Sequence, residues 1–329
     1  MISLEGSQLV FRFPEVHKKA KLSIDFKRTL RIPDDGTDYP LPAGLGNFPI
    51  EHVDDYQDNV PLKWTQQGGV MLPMHQCEAM WINFKSSHLR NREAPYFFAV
   101  RFACGKVDAI TGDTWKPGLK KKKQNYVVVP GQPWIDGFCV EQGVIRQFVA
   151  MQLGEGYTVE EQVTGSAEHG GVQIQVFPMK REVFDKRFPK IVREPIPKNF
   201  DGHRYPYALH SLQEVGLGMG GRMRQQIHKD PFKLSDWDLE STSRCFVHLA
   251  NSQIWNQITG QPTPESPVNQ YAYEQEGLPW FDHYQEKPTV HGSQTLKNLK
   301  SVKTISEEKG QAIEKDEISF VSDPVNVSK

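Results

Sequence analysis

The first two thirds of the chain alternate apolar and polar residues in short runs that end near glycine or proline. Leu22, Ile24 and Phe26 are separated by single polar residues. Because successive side chains of a strand point to opposite faces, this period of two predicts strands with one buried face. Half-buried strands of this kind are typical of antiparallel sheets. The same pattern recurs at Leu9–Phe13, Phe98–Phe102 and Val172–Phe177, and Val144–Met151 is a further predicted strand.

Long connections separate these strands, and helical patterns are few and late in the chain. Ile32–Phe48 holds three prolines and three glycines, which indicates a loop that covers a core. Apolar residues at helical spacing occur in Met179–Phe188 and Asn251–Thr259, and each run stops at proline or glycine. The predicted fold class is β-rich α+β, with antiparallel, sandwich-like sheets, a few short helices in the C-terminal half and long covering loops rich in proline and glycine.

Composition divides the chain into two unequal parts. Residues 1–284 carry 34 of the 35 aromatic side chains, whereas 285–329 combine Phe320 with seven lysines and seven acidic residues. A segment that buries so little apolar surface does not offset the entropy lost on ordering. We therefore predict one large globular domain over 1–284, or two packed subdomains with a boundary near 189–215, and a mostly disordered polar tail over 285–329.

Charge and hydropathy limit the classes of partner. The chain has 39 Lys+Arg against 40 Asp+Glu, which argues against a nucleic-acid partner because phosphate binding needs surplus positive charge. Its apolar runs stay far below the roughly 18–20 residues that span a bilayer, so no membrane partner is expected. The N-terminus lacks a secretory pattern, and the four cysteines form no CxxC pair. These features predict a soluble, cytoplasmic protein.

A glycine-rich run at Gly216–Gly221 matches the G-x-G-x-x-G pattern of dinucleotide-binding loops. That motif requires a buried strand before it and a long helix after it. Polar residues interrupt the preceding run and Pro231 follows closely, so no nucleotide cofactor is expected. The run is predicted to be a flexible loop between subdomains, or alternatively an anion-binding nest in which Arg222 and Arg224 point the same way.

Histidine and cysteine cluster around His75-x-Cys77, with His88 further along the chain. Imidazole and thiolate are zinc ligands, so His75, Cys77 and His88 are candidates for a divalent metal site, although such a site needs three or four converging ligands. His75 and Cys77 also suit a nucleophile pair. The alternative is that Cys77 is a buried structural thiol among neighbouring methionines.

A turn cluster at Pro130–Cys139 displays Trp134 beside Asp136, and Glu141 follows it. An indole ring with a carboxylate suits a pocket for a sugar or another small molecule, which makes Trp134 and Asp136 ligand-binding candidates. Asp136 and Glu141 also suit a general acid and base. The alternative is that Trp134 anchors the core and that Asp136 belongs to a tight turn.

Three functional classes follow from these observations. The first is a binding or self-assembly protein, possible as a homo-oligomer, because no catalytic set is complete. The second is a hydrolase or transferase; whether the chain is an enzyme stays open. Its candidate residues are His75, Cys77, Asp136, Glu141, His169 and His228. The third is an anion-binding regulatory module that uses Arg222, Arg224 and the lysine run Lys120–Lys123.

Overall fold

The computed structural model describes residues 1–89, 92, 94–189, 214–282, 287–311, 321 and 324–326. Within these residues the strands are β1 (Ile2–Glu5), β2 (Gln8–Arg12), β3 (Lys21–Thr29), β4 (Asp38–Tyr39), β5 (Leu41–Pro42), β6 (Gly44–Asn47), β7 (Glu51–His52), β8 (Val70–Met74), β9 (Ala79–Ser86), β10 (Phe98–Cys104), β11 (Val107–Asp108), β12 (Val127–Val129), β13 (Trp134–Ile135), β14 (Gly137–Glu141), β15 (Val144–Gln152), β16 (Val172–Pro178), β17 (Glu214–Arg224), β18 (Ser243–Asn251), β19 (Trp280–Asp282) and β20 (Val325–Asn326).

The helices of the described residues are short. They are α1 (Leu62–Gln67), α2 (Val159–Thr164), α3 (Arg181–Arg187), α4 (Trp255–Thr259), α5 (Gln270–Gln275), α6 (Gln294–Lys297) and α7 (Val302–Lys309), and 3₁₀ turns occur at Val53–Tyr56 and Leu234–Asp236. Most helices lie in the C-terminal half, and α3 and α4 fall inside the two predicted helical segments, which confirms that part of the prediction. None of the described helices is long and apolar enough to span a membrane.

One large sheet organises the fold. Its antiparallel pairings run in the order β2, β3, β9, β15, β17, β18, β16, β10 and β12. β13 pairs antiparallel with β9, and β14 pairs antiparallel with β15. Among the described residues of this sheet the parallel pairs are β4 with β17 and β8 with β18. A separate small sheet pairs β19 parallel with β20 and antiparallel with β5. The predicted β-rich, mainly antiparallel fold is confirmed.

The inward side chains of this sheet form the main hydrophobic core. Leu22, Ile24 and Phe26 on β3 are fully buried together with Phe98 and other side chains of the neighbouring strands. Their alternation with polar residues is the pattern that predicted the strands, because one face of each strand packs inward.

A second, smaller core lies where the loop after β3 packs against β15 and β17. It contains Leu30, Ile32 and Leu41 of the loop with Ile145 and Met223 of the sheet, and Tyr273 and Trp280 complete it. Gly221 permits the close approach, since a Cβ there would lie 2.2 Å from the carbonyl oxygen of Pro33. Residues 32–48 are therefore a covering loop, as expected, with the short strands β4 to β6 within it.

The glycine-rich run at Gly216–Gly221 is neither a flexible loop nor an anion-binding nest. It belongs to β17, which pairs with β15 along most of its length. The glycines admit neighbouring side chains: a Cβ at Gly220, for example, would lie 2.6 Å from Cγ2 of Val149. The prediction failed because it read glycine as a turn signal, whereas here glycine allows close packing across the sheet.

The structure also differs from the predicted tail. Within 287–311, α6 and α7 pack on the sheet, and Leu296, Val302 and Ile305 are buried. Few apolar residues suffice because each fits an existing surface, and Ser293 and Ser301 cap the two helices. Residues 283–286 and most of 312–329 lie outside the described part, as does 190–213 of the predicted subdomain boundary. Strands on both sides of that boundary share one sheet.

Candidate functional site

A row of polar and aromatic side chains crosses the outer face of the sheet near its first strands. Strand pairing places Gln8 opposite Asp25, Asp25 opposite Asn83, and Asn83 opposite Trp134. Lys27 and Trp81 form the adjacent row, because they are paired on β3 and β9 two residues further along. We call this surface the tryptophan–amide face; its members are Gln8, Asp25, Lys27, Trp81, Asn83 and Trp134.

Hydrogen bonds fix the first row. Nε2 of Gln8 donates to Oδ1 of Asp25 at 2.8 Å, and Nδ2 of Asn83 donates to Oδ2 of Asp25 at 3.0 Å. The Asp25 carboxylate, which is 4% exposed, thus holds both amide groups from the middle. The amide carbonyl oxygens, Oε1 of Gln8 and Oδ1 of Asn83, accept no hydrogen bond from any described residue. Both oxygens are therefore oriented acceptors on the surface.

The two indole rings lie side by side beyond this row. The centroids of Trp81 and Trp134 are 6.0 Å apart with an interplanar angle of 58°, and both side chains are partly exposed. Trp81 rests against Gly44, where a Cβ would lie 3.0 Å from Cζ2 of the indole. Lys27 donates to Oδ1 of Asn47, a neighbour on β6. The face therefore joins apolar ring surface to fixed hydrogen-bonding groups.

Asp136 lies behind Trp134 and does not reach the surface. It is 1% exposed, and its carboxyl accepts hydrogen bonds from the side chains of Gln225 and Trp134. Burial raises the pKa of Asp136 to about 8, against an ordinary value of 3.8, and the two donors only partly oppose this shift. The predicted pair of Trp134 and Asp136 thus exists, with Asp136 orienting the indole from inside.

His75 and Cys77 lie in the turn between β8 and β9. Hydrogen bonds to the Glu78 carboxylate join this turn to Arg28. Glu78 accepts hydrogen bonds from the His75 amide at 2.8 Å and from Nε of Arg28 at 2.7 Å. Nε2 of His75 is 3.0 Å from the carbonyl oxygen of Glu265, an acceptor that Arg28 shares. This cluster therefore holds the proline-rich segment 262–267 against the sheet.

The structure does not bring His75, Cys77 and His88 together as a set of metal ligands. Within the residues described, no three His, Cys, Asp or Glu side chains are placed to hold a metal ion. His88 is exposed beyond the end of β9. Sγ of Cys77 lies 3.8 Å from Sδ of Met151, so this thiol packs against a thioether.

The two remaining histidine candidates lie in different places. Nδ1 of His169 is 3.3 Å from Oε1 of buried Glu160, and burial lowers the pKa of His169 although Glu160 opposes this shift. His228 is linked through its backbone to Gln124 and Gln132. Burial also lowers the pKa of His228, and Lys287 adds to the effect. The two rings thus lie in separate surroundings, and both roles in catalysis stay predictions.

The basic candidates are engaged by carboxylates. Arg222 binds Asp38 at 2.6 Å and Glu141 at 3.2 Å, and Arg224 binds Asp282 at 3.0 Å. In the lysine run, two side chains pair with Asp113 and one with Asp230. An anion would have to displace these partners, so the arrangement disfavours a ready anion site.

Sequence reasoning found Trp134 but missed the rest of the tryptophan–amide face. The alternation of β3 indicated part of the face, because it places Asp25 and Lys27 on the polar side of that strand. Alternation does not predict the register between β3, β9 and β13. The sequence therefore could not show that Asn83 and Trp134 lie in the same row as Asp25.

Comparison of the chain with models of protein families, with curated proteins and with solved structures gives no match in any of the three. The function is therefore argued from the geometry of the face.

Proposed function

We propose that this protein is a non-catalytic binding protein whose tryptophan–amide face takes a neutral oligosaccharide. The observation that carries the proposal is the placement of two partly exposed indoles beside amide groups that Asp25 holds rigid. We place the protein in the cytoplasm, which suits the buried thiols of Cys104, Cys139 and Cys245.

The chemistry of a sugar ring suits this arrangement. One face of a pyranose presents C–H groups that pack on an indole, and its rim presents hydroxyls that need oriented donors and acceptors. Gln8 and Asn83 supply carbonyl acceptors, and the ammonium group of Lys27 supplies a donor. A planar apolar ligand would use the rings but would leave these polar groups without partners, at a cost in affinity.

The charge of the face favours a neutral ligand. Asp25 and Lys27 contribute one charge of each sign, and the other four members are uncharged. Binding through such contacts changes little with salt, whereas binding through net charge weakens as salt rises. Self-association of the chain, the other form of the binding prediction, stays a prediction.

The test is a titration of intrinsic tryptophan fluorescence with hexasaccharides of glucose (β-1,4 and α-1,4), xylose, mannose and N-acetylglucosamine. At least one should give saturable binding. Its affinity should be the same at about 20 and about 300 mM salt, because a neutral ligand is not held by charges that salt screens. Trp81→Ala should weaken that binding at least tenfold, about 1.4 kcal/mol. Asn83→Ala, which removes one acceptor and keeps the rings, should weaken it by a smaller factor.

Tyr271→Ala is the matched control, because Tyr271 is an aromatic residue that is 73% exposed outside the face. It should leave affinity unchanged. If no hexasaccharide binds, or if the control weakens binding as much as Trp81→Ala, the proposal is wrong.

A further inference from the structure

A cavity of about 650 Å³ opens near α3, outside the tryptophan–amide face. Its walls come from three parts of the chain: the turn after β2, the start of α3 and the segment before β18. Its lining includes Glu15, Val16, Glu182, Trp237, Leu239 and Glu240. The volume lies within the range of about 300–1,000 Å³ that is usual for small-ligand sites.

The inner wall of this cavity is apolar and rigid. Val16 and Trp237 are buried there, and Nε1 of Trp237 donates to Oδ2 of Asp230 at 3.0 Å, which fixes the ring. Leu239, at 46% exposure, adds an apolar surface at the mouth. A ligand with a hydrocarbon stem would therefore find a preformed surface.

Carboxylates dominate the rim. Four acidic residues line the cavity, Glu15, Glu182, Asp238 and Glu240, against Lys180 and Arg181. Arg181 is drawn toward Asp185 on its own helix, at 3.5 Å. The side chains of Glu15, Glu182 and Glu240 are exposed and form no ion pair with another described residue.

The effect of this charge reaches the neighbouring core. The pKa of Tyr96 is raised, first by burial and then by Asp185, Asp238 and Glu182, and Arg181 opposes them only weakly. Acidic residues outnumber basic ones in the lining, and Glu15, Glu182 and Glu240 stand on three different segments around an apolar wall.

We infer that this cavity binds an organic polycation with methylene spacers, of the polyamine class. The ammonium groups would be held by Glu15, Glu182 and Glu240, and the methylenes would lie against Val16, Trp237 and Leu239. A polyamine fits better than a metal ion, because the carboxylates are spread around the rim and an apolar wall separates them. This site is independent of the proposed oligosaccharide site.

Isothermal titration of the full chain with spermidine at 20 mM salt tests the inference. We expect one saturable site, weakened at least tenfold in the double variant Glu182→Gln/Glu240→Gln. Raising the salt concentration to 150 mM should weaken binding several-fold, because exposed charges are screened. Octane-1,8-diamine should bind and octane-1,8-diol, with the same stem and no charge, should not.

Glu276→Gln/Glu307→Gln removes the same charge from exposed positions outside the cavity and should leave affinity within twofold of the original. The inference is overturned if spermidine shows no saturable binding, if the diol binds as well as the diamine, or if this control loses as much affinity as the cavity variant. Because all four positions are exposed, these substitutions should not unfold the chain, which circular dichroism would verify.

Discussion

Asp136 directly precedes β14 and Glu141 is its last residue, only five positions away, yet the two carboxyl groups have opposite environments. Asp136 is enclosed, and burial raises its pKa to about 8. Glu141 is near the surface, where Arg222 and Lys297 hold its pKa below the ordinary value. At neutral pH the first is mainly a neutral hydrogen-bonding group, and the second is a carboxylate in an ion-pair network.

The contrast shows that proximity in sequence does not make an acid and base pair. The two groups have separated pKa values, as a catalytic pair would, but Asp136 meets Gln225 and Trp134 and never the surface. The fold sets the solvent exposure and the neighbouring charges of each carboxyl group, and these determine its pKa. Asp108 supplies a third case: it is as buried as Asp136 but faces a cation, Arg101, at 2.9 Å.

The largest effect is expected at Asp108. Asp108→Asn would leave the Arg101 guanidinium, which is 2% exposed, without its counter-charge. The free energy of unfolding should fall by about 3–5 kcal/mol, the usual result of breaking a buried pair from one side. Urea unfolding at pH 7 measures this.

If the loss comes from an uncompensated charge, Arg101→Met should lower the free energy of unfolding less in the Asp108→Asn background than in the original chain. Additive losses in this double-mutant cycle would mean that the two side chains contribute separately through packing.

Asp136 should give a pH-dependent effect. Because its pKa is raised when folded, the folded state holds a proton between pH 4 and about 8 that the unfolded chain releases. Stability therefore falls as pH rises through this window, by at most about 1.4 kcal/mol per pH unit from this group. In Asp136→Asn, which keeps an acceptor for Gln225, this slope should disappear. Urea midpoints measured from pH 5 to 9 test it; identical slopes in both proteins would show that Asp136 is ionised in the folded chain.

Glu141 should give the smallest effect. Glu141→Gln removes a partner of Arg222 and Lys297 at a largely exposed site, so the loss should stay below about 1 kcal/mol at pH 7. Because the pKa of Glu141 is lowered, its contribution is present above the ordinary pKa and fades as pH falls toward the lowered value. High salt should erase the difference in urea midpoint; a loss that persists at 1 M salt would point to packing instead.

Much of the fold was predictable from local pattern. Alternation located β3, β10 and β16, because a half-buried strand must alternate, the largely apolar run Val144–Met151 indicated β15, and stop signals located α3 and α4. The prediction failed where packing overrides local preference. Glycines in β17 admit neighbouring strands and the covering loop, and three apolar residues of α6 and α7 find places on a surface that the rest of the chain builds.

The candidate site was less predictable than the fold. Trp134 could be selected because an indole beside a carboxylate in a turn cluster suits a ligand pocket, but its neighbours come from β2, β3 and β9. Their meeting depends on strand register, which follows from pairings between residues up to 58 positions apart, as for Asp25 and Asn83. No local signal carries that information.

The sequence by itself determined the strand-rich class, the inward face of each strand and the short, late helices, because these follow from side-chain periodicity and from the restricted backbone of proline. Tertiary structure alone decided the chemistry. It enclosed Asp136, gave Arg222 and Arg224 carboxylate partners, set two indoles beside the Asp25 amide row and gathered three glutamates around one cavity. Burial and charge separation are properties of positions in space, and only long-range strand pairing creates those positions.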